Sequence, residues 1–562
     1  MRFATRGRMA AAASDREVPT GPGSPWQEIL GGPTLTSCST PEAAATDAGV
    51  DPVRDYFQGK HAMKGGLGKA GVSAVKWSAI STVARFALQL VSQIILARLL
   101  GPDNYGIFGI GMMVLLLSNF LSNFGFAWNL LHRPTVTDED IRFAFTWQVM
   151  IGLVSMSVVF LAAPWIADYF RDPRVLPVIR WLSLVCFLAA SSATANILLQ
   201  RALNFRAVGI IQILSYAVAY LGFGIPMALL GAGYYSLVAA CVVQAAVQLV
   251  ANYWAYRHTT RPLFSYAGSS AAFSAGGTVF LTNIVNWWLS NMDRIIIGRL
   301  LNAHSVGLYS VAYNLATMPN TLLLGALQSS FMSAAAQMSG ERERLQRAFL
   351  QILATIWILG LPVFAIMATL SFDLVAVLYG PRWAETGWLL SILLLGMPAF
   401  ASWGVSTPIL WNTNRKNYEF LMQLPVVLLG SAALYLWTPL GVRAVGCIVT
   451  ILFFLRMMLV TGAALKALDL KFSVLAGPLA RGLALTALGV SAALVGPLCF
   501  GRHGAHLASL VLGGCLATMV FVAAVLYLPH LIGDTAAQML VRFSPKLGFF
   551  WQARRRPLAS AE

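Results

Sequence analysis

The stretch VSQIILARLLGPDNYGIFGI, Val91 to Ile110, has a near copy in LSNMDRIIIGRLLNAHSVGLYSV, Leu289 to Val311. Each copy carries a run of aliphatic residues, an arginine, two leucines, five intervening residues and a glycine. Arg98 and Arg299 stand 201 positions apart, and so do Gly106 and Gly307. A phrase written twice at a fixed offset is the mark of an internal repeat. What surrounds the two copies decides what is repeated.

Of the 562 residues, 57% are hydrophobic and only 11% are charged. A soluble globular chain carries about 25% charged residues, so the composition is that of a membrane protein. A spanning helix needs about 20 mostly apolar residues, and fourteen such runs follow one another from Val72 onward. They are continuously apolar rather than alternating, which selects helices over a barrel. The expected fold is an all-α polytopic membrane protein of about fourteen helices. The net charge of +17 sits in short Lys and Arg clusters between runs and in both tails. That placement suits loops held on the cytoplasmic side and speaks against nucleic acid. The charge bias puts both termini in the cytoplasm, as an even number of spans requires.

The repeated arginines end span one and span seven. Six spans separate them, so both copies run the same way through the membrane, a parallel repeat. At the offset of 201, Arg85 meets Asn286, Gln89 meets Ser290, Ser92 meets Asp293 and Gln93 meets Arg294. In the next span Phe108 meets Tyr309 and Asn119 meets Asn320. Positions 85, 89, 92 and 96 share one helical face, which predicts a polar stripe on each first helix and a polar cleft between two six-helix halves. The expected organisation is a disordered cytoplasmic tail over 1–71, halves over 72–270 and 271–470, a further helix pair over 471–532 and a cytoplasmic tail over 533–562. Arg98 and Arg299 lie at the outer ends of their spans, where long side chains can snorkel to headgroups.

Cys38, Cys186, Cys241, Cys447, Cys499 and Cys515, and the seven scattered histidines, show no metal-ligand or redox spacing. No metal site is indicated. Asp138-Glu139-Asp140 matches a D-x-D metal pattern, but it sits in a loop of about ten residues and reads as solvated charge near a helix start. That weighs against a nucleotide-sugar enzyme.

Several phrases together resemble a family. VKWSAISTVARFALQLVSQIILARLLGPDNYGIFGI from Val75, LSNFGFAWNLLHRPTVTDEDI from Leu121 and LLQRALNFRAVGIIQ from Leu198 are similar to segments of Wzx-type polysaccharide flippases. GLYSVAYNLATMPNTLL from Gly307 and LYGPRWAETGWLLSIL from Leu378 extend the resemblance. It is nearest to the branch that exports exopolysaccharide repeat units, in the superfamily that also holds multidrug and toxin extruders. The resemblance covers about residues 72–470. It implies a protein of the bacterial cytoplasmic membrane, not an enzyme, that moves a polyprenyl-diphosphate-linked oligosaccharide between leaflets by alternating access, with no cofactor or nucleotide used in the transport step. A proton or sodium ion is the expected coupling partner, and polysaccharide polymerase or export machinery the expected protein partner. A small-molecule exporter of the same superfamily is the alternative.

Such a cargo has a diphosphate that wants buried cations, and the planar fork of arginine binds phosphate oxygens two at a time. Arg85, about 13 Å along the helix from Lys76, is the leading candidate, with a structural pairing to Asp293 as its other reading. Arg294 and Arg456 are further anion contacts, and Asp293 is the candidate ion-coupling carboxylate. Asn286, Trp287, Asn119 and Asn320 offer amides and an aromatic face that suit sugar rings.

Overall fold

The computed structural model describes residues 66–122, 136–266, 276–337, 342–412, 416–500 and 504–528, with Leu130, Leu531 and Gly533. The tail expected over 1–71 falls outside these residues except for its last six positions, which are helical. The C-terminal tail from residue 534 also lies outside them. Helices dominate, and among the described residues there is no strand.

The helices are α1 (Gly66–Ser122), α2 (Asp138–Phe170), α3 (Val175–Arg201), α4 (Phe205–Leu229) and α5 (Tyr235–Ala255). Then come α6 (Gly276–Leu300), α7 (Ala303–Gln337), α8 (Arg342–Thr369), the short α9 (Ser371–Tyr379) and α10 (Ala384–Asn412). The chain continues through α11 (Lys416–Trp437), α12 (Val442–Ala467), α13 (Ala476–Phe500) and α14 (His506–Tyr527). Eleven segments of the described residues are long and apolar enough to cross a membrane, and the described part of each expected run lies mainly on a helix. The chain is therefore a multi-pass membrane protein. Its first and second runs are the two limbs of α1, folded apart at Gly101, whose φ of 72° is open to glycine at little cost. Pro102 restarts the helix with its ring already at helical φ. In the second copy the same corner is made differently: the Asn302 side chain accepts from the Ser305 amide at 2.9 Å, capping α7.

Helices α2 to α5 pack on one another, and α6, α7, α8, α10, α11 and α12 form a second group. Close approach depends on small residues, as it does where lipid rather than water surrounds the helices. A methyl group on Gly152 of α2 would stand 2.4 Å from the Ala190 Cβ of α3. The last pair uses the same device: a Cβ on Gly496 would lie 2.2 Å from the Ser509 carbonyl oxygen. Gly482 brings α13 against α8 at Trp357, within a π-helical turn over Ile356–Gly360. Buried Asp373 of α9 completes the docking, with His506 Nδ1 at 2.7 Å and the Ser509 hydroxyl donating at 2.5 Å.

The Asp138-Glu139-Asp140 run begins α2 and is structural. Thr137 and Asp140 form a reciprocal capping box, and buried Asp140 also accepts from the Tyr266 hydroxyl at 2.5 Å. Asp138 accepts from the Thr259 hydroxyl at 2.9 Å. The carboxylates thus tie down residues 257–266, an extended strap that follows α5. Three more bonds hold it under α2. The Leu263 amide donates to Thr146, Trp147 Nε1 to the Phe264 carbonyl, and Arg142 Nε to the Arg261 carbonyl, at 2.9, 3.0 and 3.2 Å.

At the opposite end, the repeated phrase meets its own copy. A Cβ on Gly106 would stand 1.7 Å from the Ala303 carbonyl oxygen, and one on Gly307 would stand 2.0 Å from the Pro102 carbonyl oxygen. Positions 102 and 303, like 106 and 307, are 201 apart, so the two contacts are the same contact seen from each side of a two-fold axis. The arginines obey the same exchange. Arg98 donates to the carbonyls of Val377 and Leu378 near the end of α9, the latter at 2.6 Å from Nε. Arg299 donates to the Tyr169 carbonyl near the end of α2 at 2.6 Å and lies over the Tyr169 ring at 5.2 Å. Each reaches a helix C-terminus on the far side of the repeat, where carbonyls lack intrahelical partners and the dipole favours a cation. They do not snorkel; their donors are engaged across the seam. Trp383, fully buried, adds a bond from Nε1 to the Ala97 carbonyl at 3.1 Å.

Candidate functional site

A cavity of about 360 Å³ lies between the groups, just below this seam. The first limb of α1 contributes Phe86, Gln89, Gln93 and Leu96, spaced so that all four fall on one face. Tyr105 comes from the second limb, and Tyr216 and Tyr220 from α4. Arg294 of α6 and Ser310 and Asn314 of α7 close the other side. Gln93 and Arg294 are equivalent positions of the repeat, so the polar cleft expected from the stripe exists, with one first helix on each wall.

The phase of the stripe differs from the expected one. The lining face holds 86, 89, 93 and 96, not 85, 89, 92 and 96. One residue is about 100° on a helix, enough to turn Arg85 away. Arg85 is exposed and is not part of the lining. Nor does it pair with Asp293: that carboxylate is 4% exposed and accepts from the Tyr309 hydroxyl at 2.5 Å and from the Arg294 amide at 2.8 Å.

Arg294 is the cation that faces the cavity. It is half-buried, its guanidinium stands over the Tyr313 ring at 4.5 Å, and Nη1 reaches Asn291 only at 3.5 Å. Its buried Nε has no hydrogen-bond partner among the described residues. Such a group costs free energy until an acceptor meets it, and within a membrane a charge is kept only beside a wet cavity or a partner. A guanidinium with donors to spare at a cavity wall can hold an oxyanion in a two-pronged grip.

The remaining candidates lie elsewhere. Trp287 donates to the Met113 carbonyl at 3.3 Å and lines a neighbouring apolar pocket. The Asn286 carbonyl accepts from the Ser290 hydroxyl within α6. Asn320 is 1% exposed and donates to the Met397 carbonyl at 3.4 Å, joining α7 to α10. Asn119 is on α1, with its side chain outside the described residues. Arg456 of α12 stacks on Trp403 with 3.6 Å from its Cζ to the ring centroid. Between the two arginines runs a file of rings: Tyr313, Phe453, Phe400 and Trp403, with successive centroids 6.4, 5.4 and 5.2 Å apart.

Tyr105, Tyr216 and Tyr220 were not anticipated as cavity residues. Tyr216 and Tyr220 are stacked with centroids 4.2 Å apart, and the hydroxyl of Tyr220 lies 3.3 Å from the Cys241 sulfur. Tyrosine spaced by four inside an apolar run was the available signal. Among the described residues, no group of three or more His, Cys, Asp and Glu side chains is arranged to hold a metal ion.

Residues 95–387 match the family described as polysaccharide biosynthesis protein, a span that contains the second copy of the phrase and all but the first four residues of the first. The chain is 26% identical over 318 residues to the lipopolysaccharide biosynthesis protein WzxC of Escherichia coli, covering 56% of this chain and 64% of that protein. It is 27% identical over 334 residues to the succinoglycan biosynthesis transport protein ExoT of Rhizobium meliloti, covering 59% and 66% of the two chains. Its fold is similar to that of the lipid II flippase MurJ in an inward closed conformation, with a TM-score of 0.61 at 13% identity over 80% of this chain and 98% of the other.

Proposed function

We propose that this chain, which belongs to the polysaccharide biosynthesis protein family, moves a polyprenyl-diphosphate-linked oligosaccharide from one leaflet of the membrane to the other. Arg294 is the observation that carries this reading: a half-buried guanidinium with an unpartnered Nε at a cavity between two repeated halves. It takes the diphosphate. Gln89, Gln93 and Asn314 offer amides to the sugar hydroxyls, and the Tyr105, Tyr216 and Tyr220 rings give them flat faces. The volume is at the low end for ligand sites, so the diphosphate and its first sugar fit in this conformation, not a whole multi-sugar unit. Transport is a movement without bond making or breaking, and no catalytic residue is required of the chain.

The seam faces outward in this reading, and both termini lie in the cytoplasm of a bacterium whose inner membrane holds the protein. That orientation rests on the Lys and Arg bias of the loops. Alternating access follows if the halves rock about the cavity, opening the seam while the strap end closes. Asp293, one residue from Arg294, is the group proposed to couple the cycle to a proton or sodium ion: gaining a cation there would weaken its hold on Tyr309 and change the charge beside the diphosphate. Polymerase or export machinery would take the cargo on the far side.

The test uses a strain lacking the gene. Lipid-linked oligosaccharides are extracted after intact spheroplasts meet a membrane-impermeant sugar-oxidising reagent. Loss of the gene should leave the oligosaccharide protected on the cytoplasmic side, and the full-length chain should restore exposure. Arg294→Ala should lower the rate roughly 30-fold, the equivalent of about 2 kcal/mol for a hydrogen bond to a charged group. Arg294→Lys should recover part of it, since a point charge lacks the fork. Continued exposure without the gene would end the cargo assignment and bring the small-molecule exporter forward.

A further inference from the structure

A second cavity, of about 300 Å³, adjoins the polar one. Met113 borders both. Its walls come from the second limb of α1, from α2 and from α6, with Leu117, Ile166, Phe170, Trp287 and Ile295 among them. No charged side chain lines it; the Trp287 indole N–H is engaged by the Met113 carbonyl, and the other polar-tipped rings in its wall, Trp165 and Tyr169, are exposed at its edge. A pocket with such walls does not hold ordered water, which needs polar partners. It stops at the seam, where a Cβ on Gly298 would stand 2.7 Å from the Phe170 ring and Arg299 closes on Tyr169. Whatever fills it must run away from the seam and must be apolar.

The two cavities are joined by consecutive residues. Arg294 lines the polar one and Ile295 the apolar one, about 100° apart around α6. One turn of one helix therefore presents a cation to the first space and an aliphatic wall to the second. A ligand with an anionic head and a branched hydrocarbon chain joined at the anion matches both.

We infer that the apolar pocket holds the first isoprenoid units of the lipid carrier, so that head and tail of one ligand are gripped on adjacent faces of α6. This rests on the reading of Arg294 as the diphosphate site. The chain would lie between α1 and α2 on one side and α6 on the other, with a wall from each half. Cargo occupancy would then be felt directly at the contact that rocking must change.

The experiment uses the full-length protein in lipid nanodiscs and farnesyl diphosphate carrying a diazirine in its farnesyl chain, with labelled residues mapped by mass spectrometry. Label is expected on Leu117, Ile166 and Ile295. Unlabelled farnesyl diphosphate should displace it, the diazirine-bearing farnesol should label these residues at least 10-fold less, and Arg294→Gln should remove it. Equal labelling by the farnesol, or persistence in Arg294→Gln, would mean that any membrane hydrocarbon enters the pocket, and the inference would be overturned. Diphosphate-dependent label mapped instead to α13 and α14 would also overturn it while leaving the head-group reading intact. Absence of any diphosphate-dependent label would overturn both.

Discussion

The two ends of the helix array are held together by different kinds of contact. At the seam end, the named contacts cross from one half to the other: Gly106 on Ala303, Gly307 on Pro102, Arg98 on the end of α9, Arg299 on the end of α2, Trp383 on Ala97. At the strap end, the described contacts stay within a half. Residues 257–266 are bound to α2, Arg201 donates to the Leu130 carbonyl at 2.6 Å, and Gln346 donates to the Leu468 carbonyl at 2.6 Å. A rocking motion would leave every contact of the second kind intact and break every contact of the first. The seam is also the less forgiving of the two. Backbone touching backbone admits no graded retreat, so it is either closed or open.

The sharpest way to break this comparison is one methyl group. Gly106→Ala or Gly307→Ala should cost the closed seam about 3 kcal/mol, the upper part of the usual overpacking range. Spin labels at positions 103 and 304 should then report longer distances in pulsed electron resonance. Gly152→Ala, a close-packed site inside one half, should lower the melting temperature and leave that distance unchanged. If both substitutions act alike, the seam is ordinary packing.

A smaller effect separates the two arginines. Arg98→Gln and Arg299→Gln should each weaken the closed seam by about 1 kcal/mol, the scale of a cation at a helix C-terminus. The Arg299 change should be the larger, because it also removes the contact with the Tyr169 ring. The same labels in the single and double variants measure this, and equal losses would show that the ring adds nothing.

The smallest effect belongs to the strap. His258 lies against Phe145 with ring centroids 4.9 Å apart. Burial lowers its pKa below the ordinary histidine value, partly offset by the Thr259 carbonyl and the Asp138 charge. The folded strap therefore binds this proton less readily than the unfolded chain. Its contribution is intact above about pH 6.5 and declines as pH falls through that value. Trypsin cleavage after Arg257 should rise below pH 6.5 and stay level in His258→Phe; Arg261 is followed by Pro262 and resists trypsin. The label distance across the seam should not change, since the strap belongs to one half.

Much of this fold could be read from the chain because a membrane span announces itself by length and apolarity alone. The repeat was legible for a similar reason: Arg98 with Arg299 and Gly106 with Gly307 keep one offset. What each member of those pairs touches was not legible, since the partners of Arg98 are 279 and 280 residues away and only the two-fold axis brings them close. The cleft was expected and its phase was missed. Around α1 a slip of one residue decides between Arg85 and Gln93, and an apolar run with scattered polar residues does not fix rotation that finely. The three tyrosines were hidden by their own chemistry, for in a count of apolar residues a tyrosine passes as part of the span.

The nine-residue helix α9 is gripped at both ends. Near its start Asp373 is fastened to α14, and near its end Val377 and Leu378 receive Arg98 from the first half. From Asp373 to Leu378 is five residues, about 7.5 Å of helix. The last two helices are thus geared to the seam through a single short rod. A load applied to α13 and α14 by a lipid, a neighbouring protein or lateral pressure in the bilayer would arrive at Arg98 as a pull on its acceptors.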